Sequence, residues 1–286
     1  MEARPQFDIL RAMRRFRIGL VMACSLLVGC FPTYSQKLRD GQPRAAAAPL
    51  AESSKRVDLP WRVLGHSVQG RPIRAATIGD GPRRVLWVGG IHGDEREGRI
   101  ATQELPAAFL AAPDAAKRVS LTILEDVNPD GTALGTRGNA NGVDLNRNYP
   151  AKNFKAERRY GMKPLSQPES RALHDFLLKG GFDLVIVAHS WRGDHFINFD
   201  GPARSTAALF SQRSGYPVRD SGDMNPTPGS LGSWVGRTLG KGILTLEYLR
   251  GRDAWAAWDE TRAAILAVIV DGVSDAREAA AEDEPR

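Results

Sequence analysis

Short apolar runs alternate along this chain with longer segments whose apolar positions recur every three or four residues. Residues 72–78, 84–89, 120–127, 183–189 and 243–248 predict strands, with a weaker one at 195–199. Helices are predicted over about 97–111, 168–179, 204–213, 230–239 and 255–271. Pro168 suits a first helical turn, because its missing N–H would be unpaired there anyway. Strands alternating with helices predict a mixed, mostly parallel α/β sheet flanked by helices on both faces. No internal repeat is visible.

Three of the predicted strands run into residues that can bind metal or carry protons. Val85-Leu86-Trp87-Val88 leads directly into Gly-Gly-Ile-His-Gly-Asp-Glu (89–95), Leu184-Val185-Ile186-Val187-Ala188 ends in His189, and Ile243-Leu244-Thr245-Leu246 ends in Glu247. In open α/β sheets the C-terminal edge of the strands is where ligands bind. His92, Glu95 and His189 make a two-imidazole, one-carboxylate set for one zinc per chain, with a coordination position left for water. A further carboxylate, Glu247, can serve as base. A lone His-x-x-Glu also occurs in ordinary strand-to-helix turns; the later histidine and glutamate shift the reading toward a zinc hydrolase. His66, His174 and His195 look ordinary. The long polar segment Asn139–Pro150 holds Arg147 and follows Arg137; either could hold a substrate anion or an oxyanion, or simply decorate a surface loop.

The termini read differently from the middle. Arg11, Arg14, Arg15 and Arg17 precede an apolar run, Ile18 to Val28, too short for a comfortable transmembrane helix. Leu27-Val28-Gly29-Cys30 resembles a bacterial lipobox, so residues 1–29 are expected to be a lipoprotein signal peptide and Cys30 the lipidated residue. A plain signal peptide or a short anchor is the alternative, and Met13 is a second possible start. Residues 30–57, rich in Pro, Ala and Ser, read as a linker; 58–273 as the catalytic domain; 274–286 as an acidic tail. The only other cysteine is Cys24, inside the apolar run, so zinc sites built from cysteine clusters are excluded. The formal charge of +6 shrinks to about +3 once the leader's five arginines, Glu2 and Asp8 are set aside, and no basic stripe with aromatics points to nucleic acid. The expected location is the cell envelope, facing the periplasm, with membrane attachment through the lipid.

The motifs together resemble the zinc carboxypeptidase-type hydrolases, and within them the murein peptide amidase branch. The resemblance rests on Gly-Arg-Pro-Ile (70–73), Gly-Gly-Ile-His-Gly-Asp-Glu (89–95), Asn-Pro-Asp-Gly (128–131), Arg137 and Asn-Ala-Asn-Gly-Val-Asp-Leu-Asn-Arg-Asn-Tyr-Pro (139–150). It continues through Ser-Gln-Pro-Glu-Ser (166–170), His189, Thr-Pro-Gly-Ser-Leu-Gly-Ser-Trp (227–234) and Leu-Thr-Leu-Glu (244–247), and so covers residues 60 to 272. It implies that His92, Glu95 and His189 bind zinc, that Glu247 is the general base, and that Arg137 polarises the scissile carbonyl. It also implies that Asn146 and Arg147 hold a substrate carboxylate, and that the substrate is a murein peptide cut between γ-D-glutamate and meso-diaminopimelate. Peptide-digesting members cap substrate with a mobile tyrosine before the catalytic glutamate, and residues 219–235 contain none. A general metallocarboxypeptidase and an N-acyl amino acid deacylase remain as alternatives, as does a murein-binding lipoprotein without catalysis; Glu247 beside a full ligand set speaks against the last.

Overall fold

The computed structural model describes residues 57–224 and 227–272. The expected leader, Cys30, nearly all of the linker and the acidic tail lie outside the described residues. Eight strands form one sheet: β1 (Arg62–His66), β2 (Pro72–Ile78), β3 (Arg83–Val88), β4 (Val119–Leu124), β5 (Leu184–Trp191), β6 (Phe196–Asp200), β7 (Val218–Asp220) and β8 (Gly242–Leu249). Their order is β1-β2-β4-β3-β5-β8-β6-β7. The central four, β4-β3-β5-β8, are parallel, while β2 and β6 pair antiparallel with their inner neighbours. The six predicted strands all appear within a few residues of their expected bounds. The edge strands β1 and β7 were not foreseen, because both are short and neither holds an apolar run longer than two residues.

Parallel central strands are covered on both faces, so they read as continuous apolar runs rather than alternating ones. Their side chains still alternate in direction. Val85, Trp87, Leu184, Ile186, Leu244 and Leu246 enter one core, together with Leu105 and Phe109 of α1 (Arg99–Ala111) and Ile265 and Val268 of the last long helix, Ala254–Val270. Leu86, Val88, Val185, Val187 and Ile243 enter the other, against Leu173, Leu177 and Trp234. Leu173 and Leu177 come from the helix Pro168–Gly180, which starts on Pro168 and stops where Gly181 turns left-handed at φ 60°. The helix Arg204–Ser214 packs with the first core through Ala207 and Phe210.

Two predicted helices change form. The first begins at Arg99 rather than 97, because residues 93–98 are a turn that carries Glu95. The segment predicted over 230–239 is a wide-turned helix at Ser233–Thr238, where the Leu239 N–H reaches Trp234 O at 2.9 Å. In this segment Trp234 stacks on Tyr149 and His174, while Arg237 reaches Asp200 on β6. The polar 139–150 segment carries a single 3₁₀ turn, Leu145–Arg147, capped by the Asp144 carboxylate, which accepts from Asn146 N. Among the described residues no helix is long and apolar enough to cross a membrane.

Candidate metal centre and substrate pocket

Strand parity assembles the site. On β5, His189 shares a face with Val185 and Val187, and on β8 Glu247 shares that face with Ile243 and Thr245. The two strands pair in register, so His189 and Glu247 are direct cross-strand neighbours. Both lie inside their strands, since β5 runs two residues past its predicted end and β8 one. His92 and Glu95 come from the turn after β3. Gly93 lets that turn pass the helix at 129–134, since a Cβ there would sit 1.9 Å from the Gly131 carbonyl carbon. The turn is clamped from outside as well: Arg250 pairs with Asp94 at 2.8 Å, and Glu97 accepts from Gly251 N at 2.6 Å.

Ligand atoms of His92, Glu95 and His189 all lie within 4.8 Å of one another. Glu95 presents one oxygen to each ring: Oε1 is 2.9 Å from His92 Nδ1 and Oε2 is 2.8 Å from His189 Nδ1. His92 Nδ1 is buried yet lacks a properly directed hydrogen bond. The far ring nitrogens are held from behind, His92 Nε2 against Asp144 Oδ1 at 2.9 Å and His189 Nε2 against Asn146 Nδ2 at 3.1 Å. The Asp144 carboxylate, an acceptor for the outer His92 N–H, together with two Nδ1 atoms and a carboxylate converging inside, fits a two-histidine, one-carboxylate zinc site.

Electrostatics follow from burial and close approach. Burial opposes charge on Glu95, but His189 and His92 outweigh it and hold its carboxyl far below the usual range. Burial likewise opposes charge on Asp144, and the His92 contact and Arg137 reverse it. For His92, burial works against the charged ring, while Glu95 and Asp144 leave its pKa raised. His189 ends up lowered, with burial dominant. Glu247 differs from the other two carboxylates. Burial pushes it up to about 8, Glu95 adds repulsion, and its carboxylate has no protein hydrogen bond among the described residues.

Arg137 binds Glu95 Oε1 through Nη1 at 2.9 Å and Asp144 Oδ2 through Nε at 3.0 Å. Asn146 accepts from Leu231 N at 2.9 Å through Oδ1 and lies on His189 through Nδ2, which leaves one amide hydrogen for a ligand. Arg147 donates to Asn146 O at 2.8 Å, and its guanidinium lies over Tyr160. His92, Glu95, Arg137, Asn146, Arg147, His189 and Glu247 thus line one cavity of about 280 Å³. His66, His174 and His195 do not line it.

The structure adds residues that the sequence reading passed over. Asp144 orients both His92 and Arg137; its place two positions before Asn146 was the only sequence signal. Asp200, on the far wall, is 7% exposed and accepts from Arg237 Nε at 2.9 Å and Ser221 Oγ at 2.8 Å. It reaches the cavity because β6 turns Phe196, Asn198 and Asp200 to the face that Glu247 occupies on β8. Gly232 keeps the way open, since a Cβ there would lie 2.7 Å from Asp200 Oδ2.

Comparison with known proteins agrees with this picture. Murein peptide amidase A of Escherichia coli strain K12 is 34% identical over 166 residues, covering 52% of this chain and 64% of that protein, so the match spans less than two thirds of that relative. The crystal structure of murein-tripeptide amidase from Escherichia coli O157 superposes with a TM-score of 0.58 at 26% identity, over 74% of this chain and 94% of that one. Carboxypeptidase A of Helicoverpa armigera shares the fold, with a TM-score of 0.64 at 19% identity over 79% and 70% of the two chains. The sequence profile described as zinc carboxypeptidase matches residues 55–223, which hold His92, Glu95, Arg137, Asn146, Arg147 and His189, and β8 brings Glu247 to the same cavity from beyond that match. The chain belongs to the zinc carboxypeptidase family.

Proposed function

We propose that this protein is a zinc-dependent hydrolase of murein peptides that cleaves the amide between γ-D-glutamate and meso-diaminopimelate. The observation that carries this reading is Asp200, a buried carboxylate on the far wall of the cavity that also holds the His92–Glu95–His189 set, Glu247 and Arg147. A diamino acid on the leaving side offers a carboxylate for Arg147 and a second ammonium for Asp200. Asp200 already pairs with Arg237 and Ser221, and an apolar ring packed against it would strip its remaining solvation without offering a new partner, so aromatic leaving residues are disfavoured.

The residues divide the work by position. Arg147, with the free hydrogen of the Asn146 amide, holds the leaving residue's carboxylate. Arg137 turns its remaining terminal nitrogen toward the scissile carbonyl and stabilises charge that develops on oxygen. Glu247 takes the proton from the attacking water and returns it to the leaving amine. Zinc, when bound, supplies Lewis acidity toward carbonyl and water. Asp144 keeps the His92 ring turned inward.

Asp200 also favours a second reading, a carboxypeptidase acting on C-terminal lysine. Mass spectrometry of products separates the two. Cleavage of L-Ala-γ-D-Glu-meso-diaminopimelate, with peptides ending in lysine or an aromatic residue cut at least tenfold less well, supports the murein reading. Faster cleavage of the lysine peptides overturns it. We further propose that the protein acts at the cell envelope, held by lipid on Cys30; the basic segment, apolar run and cysteine at the N-terminus support this. Cys30→Ser should then release the protein from membranes, and release of the wild type without detergent would point to a plain signal peptide.

A further inference from the structure

Past Arg147 lies a second cavity, of about 440 Å³, that shares Arg147, Thr227 and Ser233 with the pocket of the metal centre. Its other charged lining residues are Lys152, Lys155 and Arg237, so among the described residues four cations and no carboxylate line it. Both lysines are exposed, and neither has an ion pair among the described residues. Arg237 spends Nε on Asp200, which lines the first pocket but not the second. The walls are tied together. Asn153 Nδ2 donates to Thr227 O and Ser233 Oγ, both at 3.2 Å, Asn153 Oδ1 accepts from Gly229 N at 3.1 Å, and Lys152 N donates to Thr238 Oγ1 at 3.3 Å. Cations held around a concavity attract an anion more strongly than the same charges spread over a convex surface.

We infer that this cavity receives the terminal carboxylate of one further residue on the leaving side, so that the enzyme also cleaves substrates whose leaving group is a dipeptide. The inference rests on the proposed role of Arg147. A single leaving residue ends in a carboxylate at Arg147. Adding a residue turns that carboxylate into an amide carbonyl, which still accepts from the guanidinium. It also moves the negative charge onward by about 3.3–3.6 Å, the span of one extended residue. That step leads across the shared wall toward Lys152 and Lys155. The reaction itself is unchanged: water adds across the same amide bond, and the leaving amine takes the proton.

The test uses the full chain in detergent, loaded with zinc, and three substrates. These are the tripeptide ending in diaminopimelate, the tetrapeptide with one more alanine, and that tetrapeptide as its C-terminal amide. Wild type is expected to cleave both acids. Lys152→Ala/Lys155→Ala should lower kcat/KM for the tetrapeptide by about tenfold, as expected for a charged contact that is partly screened, and change the tripeptide by less than about twofold. Amidation should harm wild type to a similar degree and add little in the double variant, because both changes remove one contact. Added salt should weaken tetrapeptide cleavage more than tripeptide cleavage. Cleavage of the tripeptide alone, equal loss on both substrates, or indifference to amidation would overturn the inference and leave the murein reading standing. Failure on both peptides would overturn the murein reading, and the inference with it.

Discussion

At the scale of single residues, the site sets one carboxylate apart from its neighbours. Glu95 and Asp144 are held anionic by histidines and arginine, whereas burial pushes Glu247 up to about 8. A group that must accept a proton and give it back works best when its pKa is near the operating pH. Glu247→Gln keeps the shape and removes the proton acceptor. We expect unchanged zinc content by elemental analysis and a fall in kcat of about 10²–10⁴-fold; near-normal turnover would remove Glu247 from the base role. Asp126, half-buried behind the turn that carries His92, is a different case. Burial lifts its pKa to about 6, against hydrogen bonds from Thr132 and Asn128 N that act to lower it. With the folded value above the unfolded one, its stabilising contribution is full below about pH 4 and lost as pH rises through about 6, a cost of roughly 3 kcal/mol at neutrality. Asp126→Asn should therefore raise Tm at pH 8 more than at pH 5. A pH-independent shift, read by thermal melts at both values, would contradict this account.

At the scale of elements, precision depends on how the loops at the strand ends are joined. Asn128 caps the helix Pro129–Leu134 by accepting from Gly131 N at 3.0 Å, and its Nδ2 donates to Ile91 O at 3.2 Å and Arg137 O at 3.4 Å. One buried side chain thus joins the backbone beside His92 to the backbone of Arg137. A cap alone is worth about 0.5–2 kcal/mol, and one buried and one part-buried carbonyl would lose a donor besides. Asn128→Ala is expected to cost about 2–4 kcal/mol in urea unfolding and to weaken zinc binding. A loss of stability with unchanged zinc affinity would mean that the helix cap matters and the link between loops does not. The wide-turned helix Ser233–Thr238 has a comparable function on the opposite wall, since the segment leading into it supplies Leu231 N to Asn146 and its Arg237 reaches Asp200.

At the scale of the whole molecule, the metal set bridges the turn after β3 and the interior of β5, strands that already pair in parallel. Metal binding favours the folded chain by mass action, about 2.7 kcal/mol when free zinc is 100 times Kd. Chelation should lower Tm of the wild type and leave His189→Ala almost unmoved; equal shifts in both would place the metal elsewhere. The order of ligands along the chain and their place toward the C-terminal side of the sheet were legible in the sequence. Apolar runs of four or five residues ending in His or Glu mark buried strands whose ends face a cleft, and the helix-spaced segments between them impose a covered sheet. Those features are local, and local periodicity determines them. Asp144 and Asp200 were not legible, although both are ordinary aspartates in plain view. Asp144 matters because its loop folds back onto His92, and Asp200 because the β6–β8 register turns its side chain into the cavity behind Gly232. The basic cavity past Arg147 likewise exists only where residues 147–160 meet 227–238. Sequence alone determined the six longer strands, the long helices and the residues able to bind metal. Tertiary structure decided which carboxylates and cations share a cavity, because such sharing depends on pairing register and loop closure between segments far apart in the chain.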